Sequence, residues 1–550
     1  MQMKPYKTAF LLIALAVGSL AVPAAETDTA AELVRINAAV TAAYAAQRDA
    51  EIQRHIARAL IADASEQSGG LASLKSLGLS VDEAIPTYRA LIKDGGSTAR
   101  ELALHHIANH AGGAANGLSQ EILQIIRDPN TGANILAAAA GAAAAITPST
   151  AGTAAAVANL LDKALPDHAT LAVLKALRSM GSAAGPAVPK VQPHLTSHNS
   201  AVQFHAFSAI GEIKGAPDGK LQQAVAKGSV DGLPVEDQYG VLKSLGNKPE
   251  SKALLVKAAD DKRAYIQATA LQSLGVVGKS DKAAVRAMLS RISSSDEFIS
   301  RTAAEALAAI DASNAGLVDV LSEGLANSNH AIRHSAANGL RRFGVAAKPA
   351  LPALSAALRD IHEGQNVSEI GAYLEVVRSL GSDGKEAAPA ILDLLPERSV
   401  VYRNRDKFTT HYLRAFMLLT LIEIGTLDQA APFILDGLAN SQGHLYAVAA
   451  RAAARSPQLW QQSVPFLTRS LQPDFPDHFL TFERFFARFS SDDQYTSAKI
   501  EAIRALGQMG PAAKSASPLL AEIAAERPEF MGNASLIADE ATKALRAVGN

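Results

Sequence analysis

Apolar and polar residues alternate along this chain with a helical period, and one short phrase closes helix after helix. Two apolar residues three apart share a helical face, and a glycine follows them. LKSLG ends at Gly78, LRSMG at Gly181, FSAIG at Gly211, LKSLG at Gly246 and LQSLG at Gly275. LRRFG at Gly344, VRSLG at Gly381, LIEIG at Gly425, IRALG at Gly507 and LRAVG at Gly549 continue the series. Each of these glycines suits a C-terminal cap, where the backbone turns left-handed and a side chain resists the turn.

A proline stands eight residues after Gly78, Gly181, Gly344 and Gly381, at Pro86, Pro189, Pro352 and Pro389, and Pro518 stands eight after Gly510. Proline fits the first turn of a helix, where its missing N–H would find no partner. Residues 327–358 therefore predict a helix ending at Gly344, a turn through residues 345–348 and a second helix opening at Pro352. Apolar pairs follow these prolines: Leu354 and Leu358, Ile391 and Leu395, Ile434 and Leu438, Leu467 and Leu471. Each short helix thus carries one stripe to bury. Neighbouring glycine landmarks lie 29 to 44 residues apart, and larger gaps, such as 103 from Gly78 to Gly181, divide into units of about 34. Isolated helices shorter than about 12–15 residues rarely hold in water. Each pair must therefore bury its stripe against the next, which predicts an all-α superhelix of antiparallel helix pairs.

These closing pentapeptides and helix-opening prolines resemble HEAT repeats, especially the short bacterial kind grouped with phycobilisome-lyase-like repeats. The resemblance covers nearly all of residues 80–550. It implies a solenoid that more often serves as a binding scaffold than as an enzyme. It also implies an Asp in the turn between the two helices and a basic residue early in the second. Ile332-Arg333 fits the basic position, whereas Val202-Gln203 and Ile266-Gln267 depart from it.

Residues 1–24 stand apart. Lys4 and Lys7 precede the apolar run TAFLLIALAVGSLAV, and small residues surround Pro23 before Ala25. That order describes a secretory signal cut near Ala24, with an uncleaved anchor as the alternative. No cysteine lies near the cut, which excludes a lipoprotein. No second long apolar run follows, so the expectation is a soluble protein in the periplasm or outside the cell. Residues 25–79 predict an N-terminal helical cap with Leu33, Ile36, Val40, Ile52, Ile56 and Leu60 as its stripe; self-association through residues 26–67 is the other use of that stripe. Gly69 and Gly70 mark a break, and residues 80–550 form the array. Within it, residues 97–180 hold three blurred pairs, and the run AAAAGAAAA at 137–145 predicts a helix packed so closely that only methyl groups fit.

Composition narrows the chemistry. The chain is 48% hydrophobic with only 5% aromatic residues, so its core is built of small aliphatic side chains. A formal charge of −1 gives no general pull toward nucleic acid. Zero cysteines remove disulfides, thiolate metal sites and Cys nucleophiles together. His106 and His110 are four apart, as are His330 and His334, a spacing that can place two imidazoles on one metal. Neither pair is joined by a third ligand motif, and no GxSxG, phosphate loop or EF-hand loop is present. The sequence therefore predicts no catalytic, cofactor or metal residues. A metal-dependent or lyase-like protein on the same array, using His105, His106 and His110 or His330 and His334, is the second reading. A self-associating structural envelope protein is the third.

The distance from a helix-opening proline to its closing glycine is 22 residues from Pro189 to Gly211. It grows to 29 from Pro352, 36 from Pro389, 42 from Pro465 and 31 from Pro518. The extra residues predict enlarged loops at about 359–369, 396–411, 472–496 and 525–535, all between the two helices of a pair. Loops at equivalent positions of a stacked array project from one edge, and loops on rigid scaffolds carry binding residues. The second loop holds Arg398, Tyr402, Arg403, Arg405 and Lys407. The third holds Phe475, Phe479, Phe482, Phe485, Phe486 and Phe489, six of the 16 Phe in the chain. The last four have helical spacing, which predicts a short extra helix with one aromatic face. That face either folds back over the array or is exposed to a protein partner. These eleven residues are the candidate partner-binding set, since aromatic and Arg side chains dominate interface hot spots.

Overall fold

The computed structural model of this chain describes residues 26–59, 69–70, 72–73, 81–146, 150–215, 220–246, 251–441, 443–475, 479–481, 495–525 and 533–549. The expected signal at 1–24, and Phe482, Phe485, Phe486 and Phe489 of the aromatic insert, lie outside the described residues. The chain forms two compact units, Met1–Gly215 and Ala216–Asn550. The division falls at Gly215, φ +80°, just before the sequence Ala-Pro-Asp-Gly, within the single array expected from residue 80. The preceding helix ends there on Gly215, whose positive φ a side chain would resist.

Among the described residues of the first unit, α1 (Glu26–Ala59) precedes four helix pairs: α2 (Val81–Asp94) with α3 (Ser97–His106), α4 (Ser119–Arg127) with α5 (Ala133–Ile146), α6 (Ala151–Ala158) with α7 (Asp167–Met180), and α8 (Val188–Val191) with α9 (Ser200–Lys214). The cap is one long helix. Its last turns bury Ile52 and Ile56, and Arg48 grips the carboxylate of Glu83 on α2 through two nitrogens, at 2.5 and 2.9 Å. The alanine-rich helix is α5, and it buries Ala138, Ala139, Ala140, Ala142, Ala143 and Ala144 against its neighbours, as expected for methyl-only packing.

The second unit stacks nine pairs among its described residues. They are α10 (Lys220–Lys227) with α11 (Val235–Leu245), α12 (Lys252–Ala258) with α13 (Ala264–Val277), α14 (Lys282–Arg291) with α15 (Glu297–Leu307), and α16 (Val318–Leu325) with α17 (His330–Arg341). There follow α18 (Leu351–Arg359) with α19 (Val367–Ser379), α20 (Ala388–Leu394) with α21 (Lys407–Ile424), α22 (Ala431–Asn440) with α23 (Gly443–Ala454), α24 (Trp460–Arg469) with α25 (Ala498–Met509), and α26 (Ser517–Ala525) with α27 (Asn533–Gly549). Within each unit the second helices pack on one another in sequence order, and the first helices form a parallel layer beside them. The stripes meet between the layers, where Leu340, Leu354, Leu358 and Ile391 are fully buried. This is the all-α solenoid arrangement that the periodicity predicts.

Two local expectations are corrected. The turn after the closing glycine is a seven-residue 3-10 helix, seen at Gly181–Ala187, Gly344–Ala350, Gly381–Ala387 and Gly510–Ala516. A three-residue period places positions i and i+3 on one side. In this way Ala184 with Ala187, and Ala347 with Ala350, both reach the core. The proline then falls at the second position of the following helix.

The closing glycines also divide into two kinds. Gly181, Gly344, Gly381 and Gly425 do turn left-handed, with φ between +53° and +71°. Gly211, Gly275 and Gly507 instead sit inside α9, α13 and α25. A Cβ at Gly275 would lie 3.1 Å from the Cα of Ala306, and one at Gly507 would lie 3.0 Å from the Cα of Ala544. At these two positions glycine is required by the close approach of adjacent second helices, whatever its φ.

Candidate docking surface

All four enlarged loops join the first helix of a pair to the second, and the pair α22 and α23 between them has only a short connection. The described parts of the first two loops touch. Arg405 donates its Nε to the carbonyl of Val401 at 2.5 Å and an Nη to the carbonyl of Gln365 in the preceding loop. Asn404, held at φ +58°, donates to the carboxylate of Glu363, and Arg403 lies 3.9 Å from the same group. Asp406 then caps α21 by accepting from the backbone N–H of Thr409 at 2.8 Å. These contacts tie the second loop to the first.

This geometry separates the candidate residues of the second loop. Tyr402 is buried, its hydroxyl donates to the sulfur of Met417 at 3.5 Å, and burial raises its pKa. Arg405 is half-buried and committed to two carbonyls. Both help to build the loop. Arg398, Arg403 and Lys407 are the exposed members of the set.

Beside Lys407 stands a residue that sequence reasoning missed. Phe408 is 69% exposed. Its ring lies 6.3 Å from that of Tyr412, tilted by 18°, and 6.2 Å from His444, almost perpendicular to it. Tyr412 and His444 are themselves 6.1 Å apart. The available signal was the spacing of Phe408 and Tyr412, four apart on the first turn of α21. Next to them, burial lowers the pKa of His411, and Lys407 and Arg414 lower it further.

The third loop begins by turning inward. Phe475 is half-buried and rests on Tyr446 with ring centroids 5.2 Å apart. Asp474 pairs with Arg469 at 2.7 Å and does not reach the basic loop. Phe479 belongs to a short antiparallel ribbon, β1 (Phe479–Thr481) with β2 (Tyr495–Ser497), in the register Phe479 with Ser497. Aromatic and β-branched residues on both sides favour that extended pairing. The base of this insert is thus a strand pair, while Phe482 to Phe489, whose spacing predicts a helix, lie outside the described residues.

Charged side chains lace the second helices of the second unit. Glu369 of α19 is 1% exposed and accepts from Arg333 Nε at 2.5 Å, Gln365 Nε2 at 3.0 Å and the Tyr373 hydroxyl at 2.5 Å. Arg333 also donates to the carbonyls of Asn327 and Ser328, both at 2.9 Å. At the departing positions an amide replaces the guanidinium. Gln203 donates to the carbonyl of Ser197 at 2.5 Å and Gln267 to that of Ala259 at 3.0 Å, so the turn is still satisfied. Further along, Arg451 of α23 and Arg504 of α25 share Glu501, and Arg504 also reaches Glu540 on α27 at 3.3 Å.

Two hollows accompany these ladders. The larger, about 990 Å³, opens among α12, α14 and the turn after α10. Its arginines are matched: Arg263 with Asp231 and Asp261 at 2.7 Å, Arg291 with Asp260 at 2.8 Å, and Arg286 with Glu323 at 2.9 Å. The smaller, about 220 Å³, lies between α23 and α25 over Arg451, Glu501 and Arg504.

One histidine of each pair is engaged locally. His106 contacts the Tyr88 hydroxyl, and His334 meets the Asn338 amide at 3.0 Å. Among the described residues no group of three or more His, Asp or Glu is placed to hold a metal ion, and no helix is long and apolar enough to cross a membrane.

Residues 251–341 match the family model for HEAT repeats. No curated protein sequence matches the chain. Among solved structures, yeast importin-β (Kap95p) is 14% identical over 91% of this chain and 72% of that one, with a TM-score of 0.45. Kap95p from a study of RanGDP is 13% identical over 91% of this chain and 66% of that one, with a TM-score of 0.49. The chain therefore spans about two thirds of that relative's length. A chain from a study of cadherin and β-catenin is 14% identical over 86% of this chain and 99% of that one, with a TM-score of 0.35. These are likenesses of fold. The HEAT-repeat match at residues 251–341 covers α12 to α17, and the same two-helix unit recurs before and after it.

Proposed function

We propose that this chain is an exported, non-catalytic scaffold that binds another protein at the edge formed by its first two enlarged loops and the start of α21. One observation carries the reading: Phe408 stands 69% exposed beside the exposed cations Arg403 and Lys407, backed by the rings of Tyr412 and His444. An exposed aromatic held by neighbouring rings loses little freedom on binding, and aromatic and Arg side chains supply most interface energy. The contacts of Arg405 and Asn404 to the preceding loop hold this edge in shape before a partner arrives. The groups gathered there are cations and aromatic faces, which suit recognition. Export is supported by Lys4 and Lys7 ahead of a short apolar run that ends in small residues around Pro23.

The test is comparative capture. Tagged wild-type protein and the double variant Phe408→Ala, Arg403→Glu are cross-linked in the cell envelope and purified. A partner recovered with the wild type and depleted about tenfold with the variant supports the reading. Equal recovery of every partner removes it.

A further inference from the structure

We propose that the small hollow between α23 and α25 is a carboxylate-binding pocket for an acidic segment of the protein partner; the assignment rests on the scaffold reading above. Ala454 and Ala505, both buried, are among its lining residues. Its walls carry Arg451, Arg455, Arg504 and Gln508 against the single carboxylate of Glu501. Three guanidiniums against one carboxylate give the lining a formal charge of +2.

That charge is not evenly committed. Arg451 binds both oxygens of Glu501, and Arg504 divides itself between Glu501 and Glu540. Arg455 stands directly after α23, is exposed, and has no ion-pair partner among the described residues. It is one planar guanidinium at the rim, beside the exposed amide of Gln508, and a carboxylate accepts two parallel N–H bonds from such a fork. The volume of about 220 Å³ admits an acidic side chain and excludes a folded element. Glu501 on the wall disfavours a dianion, since a second negative charge would face it across the pocket. A monoanionic carboxylate therefore fits better than a phosphoryl group. The location agrees with the scaffold reading, because His444 of the aromatic cluster and Arg451 both lie on α23, seven residues apart and so on one helical face.

The experiment uses the full mature chain and fluorescein-labelled hexaglutamate, followed by anisotropy at low ionic strength, with hexalysine as the control. The expected result is saturable binding of hexaglutamate alone. Arg455→Glu should weaken it about tenfold or more, while its thermal transition stays in place because Arg455 is exposed. No binding up to about millimolar peptide, or equal affinity of wild type and Arg455→Glu, overturns the proposal. Displacement by inorganic phosphate at lower concentration than by acetate also overturns it, in favour of a phosphoryl site. Phe408→Ala should leave hexaglutamate binding unchanged. Failure of the pocket and failure of the aromatic edge are therefore read in separate measurements.

Discussion

Arg451 and Glu501 stand fifty residues apart, on either side of the aromatic insert, yet they meet through a bidentate ion pair whose longer bond is 2.7 Å. The carboxylate is 2% exposed. The second helices before and after the insert are therefore in direct contact.

Removing one partner of such a pair leaves a buried charge poorly compensated. Arg451→Ala should cost about 3–5 kcal/mol in urea unfolding. The double variant Arg451→Ala, Glu501→Gln should recover part of that loss, because no charge is then stranded. A loss below about 1 kcal/mol in the single variant would mean that Arg504 alone suffices for Glu501.

The packing stripe makes its own prediction. Leu340 is fully buried between the two helix layers. Leu340→Ala should destabilise the chain by about 2–5 kcal/mol, read as a shift in the urea midpoint. An unmoved midpoint would contradict the helical register that turns Leu340 inward.

Glycines inside helices should divide by what surrounds them. Gly507→Ala would bring a methyl group 3.0 Å from the Cα of Ala544 and should cost about 1–3 kcal/mol, since backbone cannot move aside as a side chain can. Gly141 of α5 has only the Ala108 methyl at 3.6 Å. Gly141→Ala should therefore stabilise by about 0.5–1 kcal/mol through helix propensity.

Stability should also depend on pH through His205. Burial, then Lys175 and Arg178, depress its pKa from 6.5 to about 4. The unfolded chain binds the proton first as pH falls, so the stabilisation is complete above about pH 6.5 and is lost between there and pH 4. The loss from this one group is about 2–3 kcal/mol. His205→Gln should flatten that part of the stability curve, and an unchanged slope would place the titration elsewhere.

The repeat was legible because it depends on local chemistry. A three-residue apolar spacing, a closing glycine and an opening proline are each read within one helix. What escaped reading depends on neighbours. Gly275 and Gly344 end the same pentapeptide, but only contact with Ala306 makes the first a packing glycine. Tyr402 and Arg405 look like surface chemistry until Met417 and the carbonyl of Gln365 engage them. Phe408 looks like core until its exposure is seen. Arg455 carried no signal at all, because a lone cation after a helix acquires meaning only from the pocket it borders.

The central claim is that the edge around Phe408 is where another protein sits. The most direct measurement replaces Phe408 with a photo-crosslinking benzoylphenylalanine and, in a separate chain, does the same at Val345, which is 66% exposed on a repeat turn. Irradiation in the cell envelope should give one discrete adduct from position 408 that disappears with Arg403→Glu, and none from position 345. The same adducts from both positions, or none from either, would contradict the account.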